Sequence, residues 1–332
     1  VNALVGPHGI DRYLELISPT LTIRDARAEV TGVHRQTDRS VTLTILPNRA
    51  FTGFRAGQFV KVGVEIDGVR RTRTYSPTIS EHDDTLLELT ITLRDGGLVS
   101  HHLRNHARPG MLLHLSAAAG DFVMPERRPA RLALISGGSG VTPIIAMLRT
   151  LVSEEHAGPV EFVHYARTAA DFLYRPQVEA IARAHPNITA RFIATREGGA
   201  RFGADTITPG AHVMVCGPPE LIDAVRAHHP QAQAETFTPP TLLLAGEHAT
   251  GTLRFTASGA SAPIGDGTLL EQAEQAGLSP EFGCRMGICH TCTCRKTAGT
   301  VKNLKTGEVS SEEDEDIQIC VSVPLGDVAL AI

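Results

Sequence analysis

No apolar run in this 332-residue chain is long enough to cross a bilayer. Candidates such as Leu242-Leu243-Leu244-Ala245 fall far short of the roughly 18–20 residues a spanning helix needs. Positive charge is not in excess either. The formal net charge is −5 and there is no polybasic stretch, which argues against nucleic-acid partners and against an electrostatic hold on anionic lipid. Internal repeats and low-complexity tracts are missing. Residues 1–7 have neither a basic n-region nor an apolar h-region, so the expectation is a cytoplasmic protein with no secretory signal.

Hydrophobic residues make up 42% and charged residues 20%, the balance of an ordinary globular protein. Single cores stop growing before this length, so the chain is expected to hold three domains. Charge is unevenly spread among them. Residues 246–332 carry twelve Asp/Glu against six Lys/Arg, whereas the rest is close to neutral. Cysteine is also clustered: Cys216 stands alone, while Cys284, Cys289, Cys292, Cys294 and Cys320 fall in the last fifty residues. Without a secretory signal, such clustering points to a metal site rather than to disulfides.

Residues 1–23 form an N-terminal extension with helical character around residues 10–17. From 24 to 127 the text is strand-like, as in Val41-Thr42-Leu43-Thr44-Ile45-Leu46, Gln58 to Val64 and Leu87 to Leu93, with Gly or Asp turns between, and this predicts a closed antiparallel β-barrel. Between 128 and 237 short apolar strands (Leu132–Ile135, Val160–Tyr165, Thr189–Ile193, His212–Val215) alternate with helical stretches, which predicts a doubly wound parallel α/β sheet. Residues 238–247, with Pro239-Pro240, read as a stiff linker to a third domain at 248–332.

Cys284-x4-Cys289-x2-Cys292 with a remote Cys320 has the spacing of ligands to a [2Fe-2S] cluster. One loop has to present three thiolates, and Gly283 and Gly287 supply the small residues this needs. A structural zinc site is the alternative, although zinc ligands usually come as two short pairs. Cys294 reads as a small buried side chain rather than a ligand. The segment from Thr252 to Ile332, including a Gly299-Thr300-Val301 turn and a closing Asp327-Val328-Ala329-Leu330 strand, resembles the plant-type ferredoxin domain. That resemblance implies a β-grasp fold.

Upstream, Arg73-Thr74-Tyr75-Ser76 and Gly97-Leu98-Val99-Ser100 lie inside the barrel segment. Leu132 to Ser136 runs into Gly137-Gly138-Ser139-Gly140-Val141-Thr142-Pro143 and then a helix, an arrangement suited to a dinucleotide pyrophosphate. Cys216-Gly217-Pro218 follows the last strand of the same domain. Together these motifs resemble the ferredoxin–NADP reductase superfamily, and the likeness covers almost all of the chain after residue 24.

By that resemblance Arg73 binds the FAD pyrophosphate, Tyr75 lies against the isoalloxazine and Ser76 hydrogen-bonds flavin N5, with Gly97 and Ser100 completing the phosphate site. Gly137, Gly138, Gly140, Thr142 and Pro143 take the nicotinamide cofactor, and Cys216 and Gly217 stand beside nicotinamide C4. Phe237, in Glu235-Thr236-Phe237, returns toward the flavin. Arg167 and Arg196 end the second and third strands of the nicotinamide domain without an acidic ribose acceptor at the second, which favours NADPH over NADH. The catalytic set is thus Ser76, Tyr75 and Cys216.

The implied activity is a reductase that passes electrons from NAD(P)H through FAD and [2Fe-2S] to a protein acceptor. The order of domains resembles the reductase components of oxygenases, and the Gly68 to Ser76 context resembles reductases serving membrane fatty-acid desaturases or alkane hydroxylases. A Rieske dioxygenase or P450 acceptor, or a redox sensor that does not turn over, stays open as an alternative. The Glu312-Glu313-Asp314-Glu315-Asp316 run, four residues before Cys320, is either solvated surface or a docking patch for a basic partner, including peripheral docking on a membrane enzyme.

Overall fold

The computed structural model describes residues 20, 22, 25–237 and 249–332. The helix expected near residues 10–17 and the proline linker lie outside them. The chain divides into two compact units, Val1–Phe237 and Thr238–Ile332.

The first unit opens with an antiparallel six-stranded sheet built from β1 (Arg27–Thr37), β2 (Ser40–Pro47), β3 (Val60–Ile66), β4 (Val69–Tyr75), β5 (Leu87–Thr92) and β6 (Leu112–Leu115), in the order β4-β3-β6-β1-β2-β5. Its inward side chains, among them Val30, Leu43, Ile45, Val62, Leu89 and Ile91, form one apolar core. The two edges then meet. Pro77, just past β4, bridges Leu89 of β5, and the Thr78 N–H donates to the Glu88 carbonyl at 2.9 Å, so the sheet curls into a barrel. Helix α1 (Leu98–His106) plugs it with Val99 and Leu103.

A five-stranded parallel sheet follows: β7 (Leu132–Gly137), β8 (Val160–Ala166), β9 (Ile188–Ala194), β10 (His212–Cys216) and β11 (Gln233–Glu235), ordered β11-β10-β7-β8-β9. Its faces are covered by two separate cores, and the strands alternate between them. Leu132 and Leu134 of β7 and Met214 and Cys216 of β10 enter one, whereas Ala133, Ile135, Val213 and Val215 enter the other. Helix α2 (Val141–Ser153) is buried over most of its length; α3 (Arg175–Ala184) and α4 (Pro219–His228) complete the layers. Because β7 continues to β8 on one side and neighbours β10 on the other, the strand order reverses between β7 and β10. Ligand crevices open at such a reversal, at the carboxyl ends of the strands.

Barrel and sheet are fastened together. Ala56, Phe122 and Met124 enter the α2 core, and Arg128 donates to Glu81 at 2.7 Å and to Glu154 at 2.7 Å. The Arg128 hydrogen bond pulls the Glu154 carboxyl down to about 2. Glu81, His82 and Glu154 lie close enough to suggest a cation site, but the Arg128 guanidinium already satisfies both carboxylates.

The second unit contains β12 (Thr252–Phe255), β13 (Ala260–Pro263), α5 (Leu269–Gln275), β14 (Thr293–Asn303), β15 (Val309–Ser310), β16 (Glu315–Gln318) and β17 (Ser322–Leu330). Parallel pairing of β12 with β17 inside an otherwise antiparallel sheet, with α5 packed on one face, gives the expected β-grasp. One expectation needs correction. Gly299-Thr300-Val301 is not a turn: it is a bulge within the continuous strand β14, and a Cβ on Gly299 would stand 2.1 Å from the Asp327 carbonyl oxygen. The run at residues 312–316 is not wholly free acid, because its end forms β16 and two of its carboxylates are paired.

Candidate functional site

The four expected cluster ligands gather in one place. Cys284, Cys289 and Cys292 line a single loop, Cys320 lies two residues before β17, and all four are buried free thiols. The loop turns sharply because Arg285, Gly287 and His290 adopt positive φ. Backbone amides point at sulfur: the N–H of Cys284 donates to Cys289 Sγ at 3.1 Å, and that of Met286 to Cys284 Sγ at 3.3 Å. The Thr291 hydroxyl adds a bond to Cys289 Sγ at 3.2 Å. A hydrogen bond from the Cys284 thiol, helped by Thr291, holds Cys289 below the usual thiol range. Buried thiols with amides aimed at their sulfurs suit a [2Fe-2S] cluster, whose added negative charge such donors stabilise.

Gly283 and Gly287 are needed for space as much as for flexibility. A Cβ on Gly283 would lie 2.7 Å from Cys289 Sγ, and one on Gly287 would lie 2.9 Å from Val321. Cys294, by contrast, sits inside β14 opposite Ile317, its Sγ on the Arg295 carbonyl at 3.6 Å.

In the barrel, Arg73 and Tyr75 end β4, paired with Val62 and Val60 of β3. Shielding from water raises the Tyr75 phenol above its usual pKa. Ser76, one residue on, is buried, and its Oγ has no hydrogen-bond partner among the described residues. A buried hydroxyl left unpaired is costly, and a flavin ring nitrogen is the kind of acceptor that would satisfy it. Gly97 caps α1 with no side-chain bond to the first turn and no acidic residue there, leaving N–H groups suited to phosphate. Ser100 differs from expectation. Its hydroxyl donates to the Gly97 carbonyl at 2.9 Å and accepts from the Arg94 N–H at 3.2 Å, so it braces the turn rather than offering its proton outward. The Arg94 guanidinium in turn holds the carbonyl of Phe237, bringing the end of the sheet domain back to the barrel.

The nicotinamide motif occupies the strand-order reversal. Gly138 takes a positive φ, and residues 138–140 make one tight turn before α2, whose first turn contains Thr142 and Pro143. Close approach fixes the other glycines. A Cβ on Gly140 would lie 2.2 Å from the Cys216 carbonyl oxygen, and one on Gly217 would lie 3.1 Å from the Gly137 nitrogen. Thr142 is buried, its hydroxyl on the Ser139 carbonyl at 3.2 Å. Cys216 is fully buried; that burial, with the negative Glu235 beside it on β11, pushes its thiol well above its usual pKa and keeps it neutral. Arg167 and Arg196 stand at the ends of β8 and β9, exposed and adjacent, the Arg196 N–H donating to the Arg167 carbonyl at 2.9 Å. An acid reaches this rim after all: Glu197 accepts from the Ala169 N–H at 3.1 Å.

Several groups around these motifs carry no local signature. Beneath the glycine turn, Ser136 bonds the fully buried His164 at 2.9 Å, and burial holds that imidazole down to about 4, hence neutral near pH 7. Arg149 of α2 and Tyr174, just before α3, reach back into the barrel.

Comparison with known proteins agrees with this arrangement. Residues 35–124 match the oxidoreductase FAD-binding domain family, 134–227 the oxidoreductase NAD-binding domain family, and 257–325 the 2Fe-2S iron-sulfur cluster binding domain family. An NADPH oxidoreductase of Mycobacterium tuberculosis is 33% identical, the alignment covering 97% of this chain and 88% of that one. The glycine betaine monooxygenase reductase subunit of Pseudomonas aeruginosa is 28% identical over 83% of this chain and 87% of its own. In fold, phthalate dioxygenase reductase superposes with a TM-score of 0.66 at 20% identity, covering 93% of this chain and 98% of the other. Three domain families in this order, and a relative one-third identical along nearly its whole length, make this chain an oxidoreductase of the ferredoxin-reductase type, with domains for FAD, NAD(P)H and a C-terminal [2Fe-2S] cluster.

Proposed function

We propose that the chain takes reducing equivalents from NADPH and delivers them singly to an oxygenase. The observation that carries this reading is the presence, in one chain, of a flavin and nicotinamide pair of domains and a buried cysteine quartet. Nicotinamide gives up two electrons together as hydride, the cluster takes one at a time, and bound flavin supplies the conversion between them. Around those groups the protein binds and orients. Arg73 and the α1 amides behind Gly97 hold phosphate, Tyr75 offers its ring face, and Ser76 holds a proton toward flavin N5. The Gly137, Gly138 and Gly140 turn admits the nicotinamide cofactor to the start of α2. Thr142 and the neutral Cys216 flank its reactive end, and Cys284, Cys289, Cys292 and Cys320 ligate the cluster. The intact Gly-Gly-x-Gly-x-Thr-Pro turn and Cys216-Gly217-Pro218 argue against a sensor that never turns over.

NADPH is the proposed donor, with Arg167 and Arg196 gripping the 2′-phosphate. Arg196→Ala is expected to raise KM for NADPH about tenfold, as befits loss of one charge-assisted hydrogen bond, while leaving NADH kinetics unchanged. Higher catalytic efficiency with NADH, insensitive to that change, would assign Glu197 the dominant role at this rim.

The acceptor is proposed to be an oxygenase because relatives along most of the chain include monooxygenase reductase subunits. A membrane diiron desaturase or alkane hydroxylase is the preferred class, on the Gly68 to Ser76 context. Among the described residues no helix is long and apolar enough to cross a membrane, so such a partner would be met at its surface. Reconstitution with diiron, Rieske and haem oxygenases, scored by product, tests this. Asp316 pairs with Arg295 at 3.5 Å and Glu315 with Lys296 at 2.9 Å, so docking falls to Glu312, Glu313 and Asp314. Neutralising those three should leave ferricyanide reduction near normal and slow delivery to the oxygenase. Added salt should slow the parent and not the variant.

A further inference from the structure

We propose that Arg149 and Tyr174 are positioning residues for hydride transfer: they lock the segment just beyond Ser76 onto α2, the helix whose other end carries Thr142. The inference rests on reading Ser76 and Thr142 as neighbours of the flavin and the nicotinamide. Hydride transfer is steep in distance and angle, and a misplacement of about 1 Å can cost on the order of a hundredfold. Something must hold two domains in register to that tolerance.

A connected set of contacts performs that task. The Arg149 guanidinium donates to the Thr78 carbonyl at 2.7 Å and to Glu88 Oε1 at 2.9 Å. Thr78 is fully buried, and its own hydroxyl donates to the same Glu88 oxygen at 2.6 Å. One residue along α2, the Thr150 hydroxyl accepts from the Glu81 N–H at 3.0 Å, so α2 grips both ends of residues 78–81. Tyr174 lies under the Arg149 guanidinium, 5.2 Å from its ring centroid, and its buried hydroxyl joins Thr90, which bonds Thr42 at 2.6 Å inside the barrel. Tyr174 has a φ of +61°, a conformation that a bulky residue keeps only where its contacts over-determine it.

From Thr142 to Arg149 is seven residues of helix, about 10 Å. Helix α2 is therefore a strut of fixed length from the nicotinamide turn to the backbone two residues past Ser76. Pro77, tied to Leu89 across the barrel seam, stiffens the last step. None of these side chains has to touch the reacting atoms for the strut to set the distance between them.

The test uses full-length holoenzyme in five forms: parent, Arg149→Met, Arg149→Lys, Tyr174→Phe and Ser76→Ala. Anaerobic stopped-flow follows flavin reduction at saturating NADPH, with protium or deuterium at the transferred position, alongside FAD content, KM and melting temperature. For Arg149→Met the expected result is full FAD content, KM within about twofold, and flavin reduction slowed roughly ten- to a hundredfold with a raised deuterium isotope effect. Tyr174→Phe should show a smaller effect in the same direction, and Arg149→Lys, which restores the charge on a stem of different reach and without the planar guanidinium over the Tyr174 ring, should recover part of the rate. Parental reduction rates in the Arg149→Met and Tyr174→Phe holoenzymes overturn the proposal, whatever their melting temperatures. Ser76→Ala separates the two readings. If it slows reduction and the other two do not, the strut is wrong; if it has no effect either, the flavin reading beneath it has failed.

Discussion

Cys320→Ser is expected to abolish the visible and electron paramagnetic resonance signatures of the cluster and to stop delivery to the oxygenase, while NADPH-dependent ferricyanide reduction continues near the parental rate. The remote ligand is the informative one to remove. Cys284, Cys289 and Cys292 share a loop whose amides donate to the sulfurs of Cys284 and Cys289, so replacing either of those two also disturbs the loop. Cys320 sits apart, flanked by the buried Ile319 and Val321, and serine conserves its size. Cys294→Ser should leave the cluster intact, since its Sγ is engaged within β14. A cluster that survives loss of Cys320 and disappears with loss of Cys294 would reassign the fourth ligand.

The largest loss of stability is expected from Lys296→Met. Lys296 has none of its surface exposed; its ammonium donates to the Gly299 carbonyl at 2.7 Å and to the Glu312 carbonyl, and pairs with Glu315 at 2.9 Å. Removing it leaves two carbonyls and a partly exposed carboxylate without their donor, and each buried acceptor left unsatisfied costs about 1–3 kcal/mol. For a unit of this size that is at least about 10 °C in melting temperature. Cluster absorbance should be lost on heating well before flavin is released. Burial alone would raise the Glu315 pKa, but hydrogen bonds from Ser310 and Lys296 overcome it and hold the carboxyl below its usual range. That contribution is complete above the ordinary carboxylate pKa and is lost as pH falls through the lowered value. The gap between parent and variant should therefore narrow in acid; a gap that stays constant through the whole acid limb would show that the ion pair contributes nothing.

What the sequence revealed divides along physical lines. Cysteine spacing is readable because a cluster fixes how many thiolates one loop presents, and the β7 to α2 turn because backbone contact excludes Cβ atoms. Strand β1 is harder to see: Val33 to Arg35 are exposed and Gln36 and Thr37 only half-buried, so the period-2 signal fades along its second half. Gly299 reads as a turn on composition alone, and only the backbone of Asp327, nearly thirty residues away, shows it to be a bulge. Arg149 and Tyr174 had no local signal at all. Their partners lie 61 and 84 residues away, and an arginine inside an apolar helix looks the same whether it faces solvent or a buried carbonyl. Ser100 matched its motif in identity and departed from it in direction, which no one-dimensional pattern encodes.

The packing of Gly137, Gly140 and Gly217 against each other's backbones has a consequence for redesign. At Gly140 and Gly217 the obstructing atoms include main chain of the adjoining strand end, so no rotamer change relieves a clash there. Random mutagenesis should find this crevice almost closed to substitution. The rim at Arg167, Arg196 and Glu197 is open to solvent and tolerant. A laboratory lineage selected to run on the other nicotinamide cofactor should therefore collect its changes at the rim and leave the crevice untouched, so that coenzyme choice can evolve with the transfer geometry held constant.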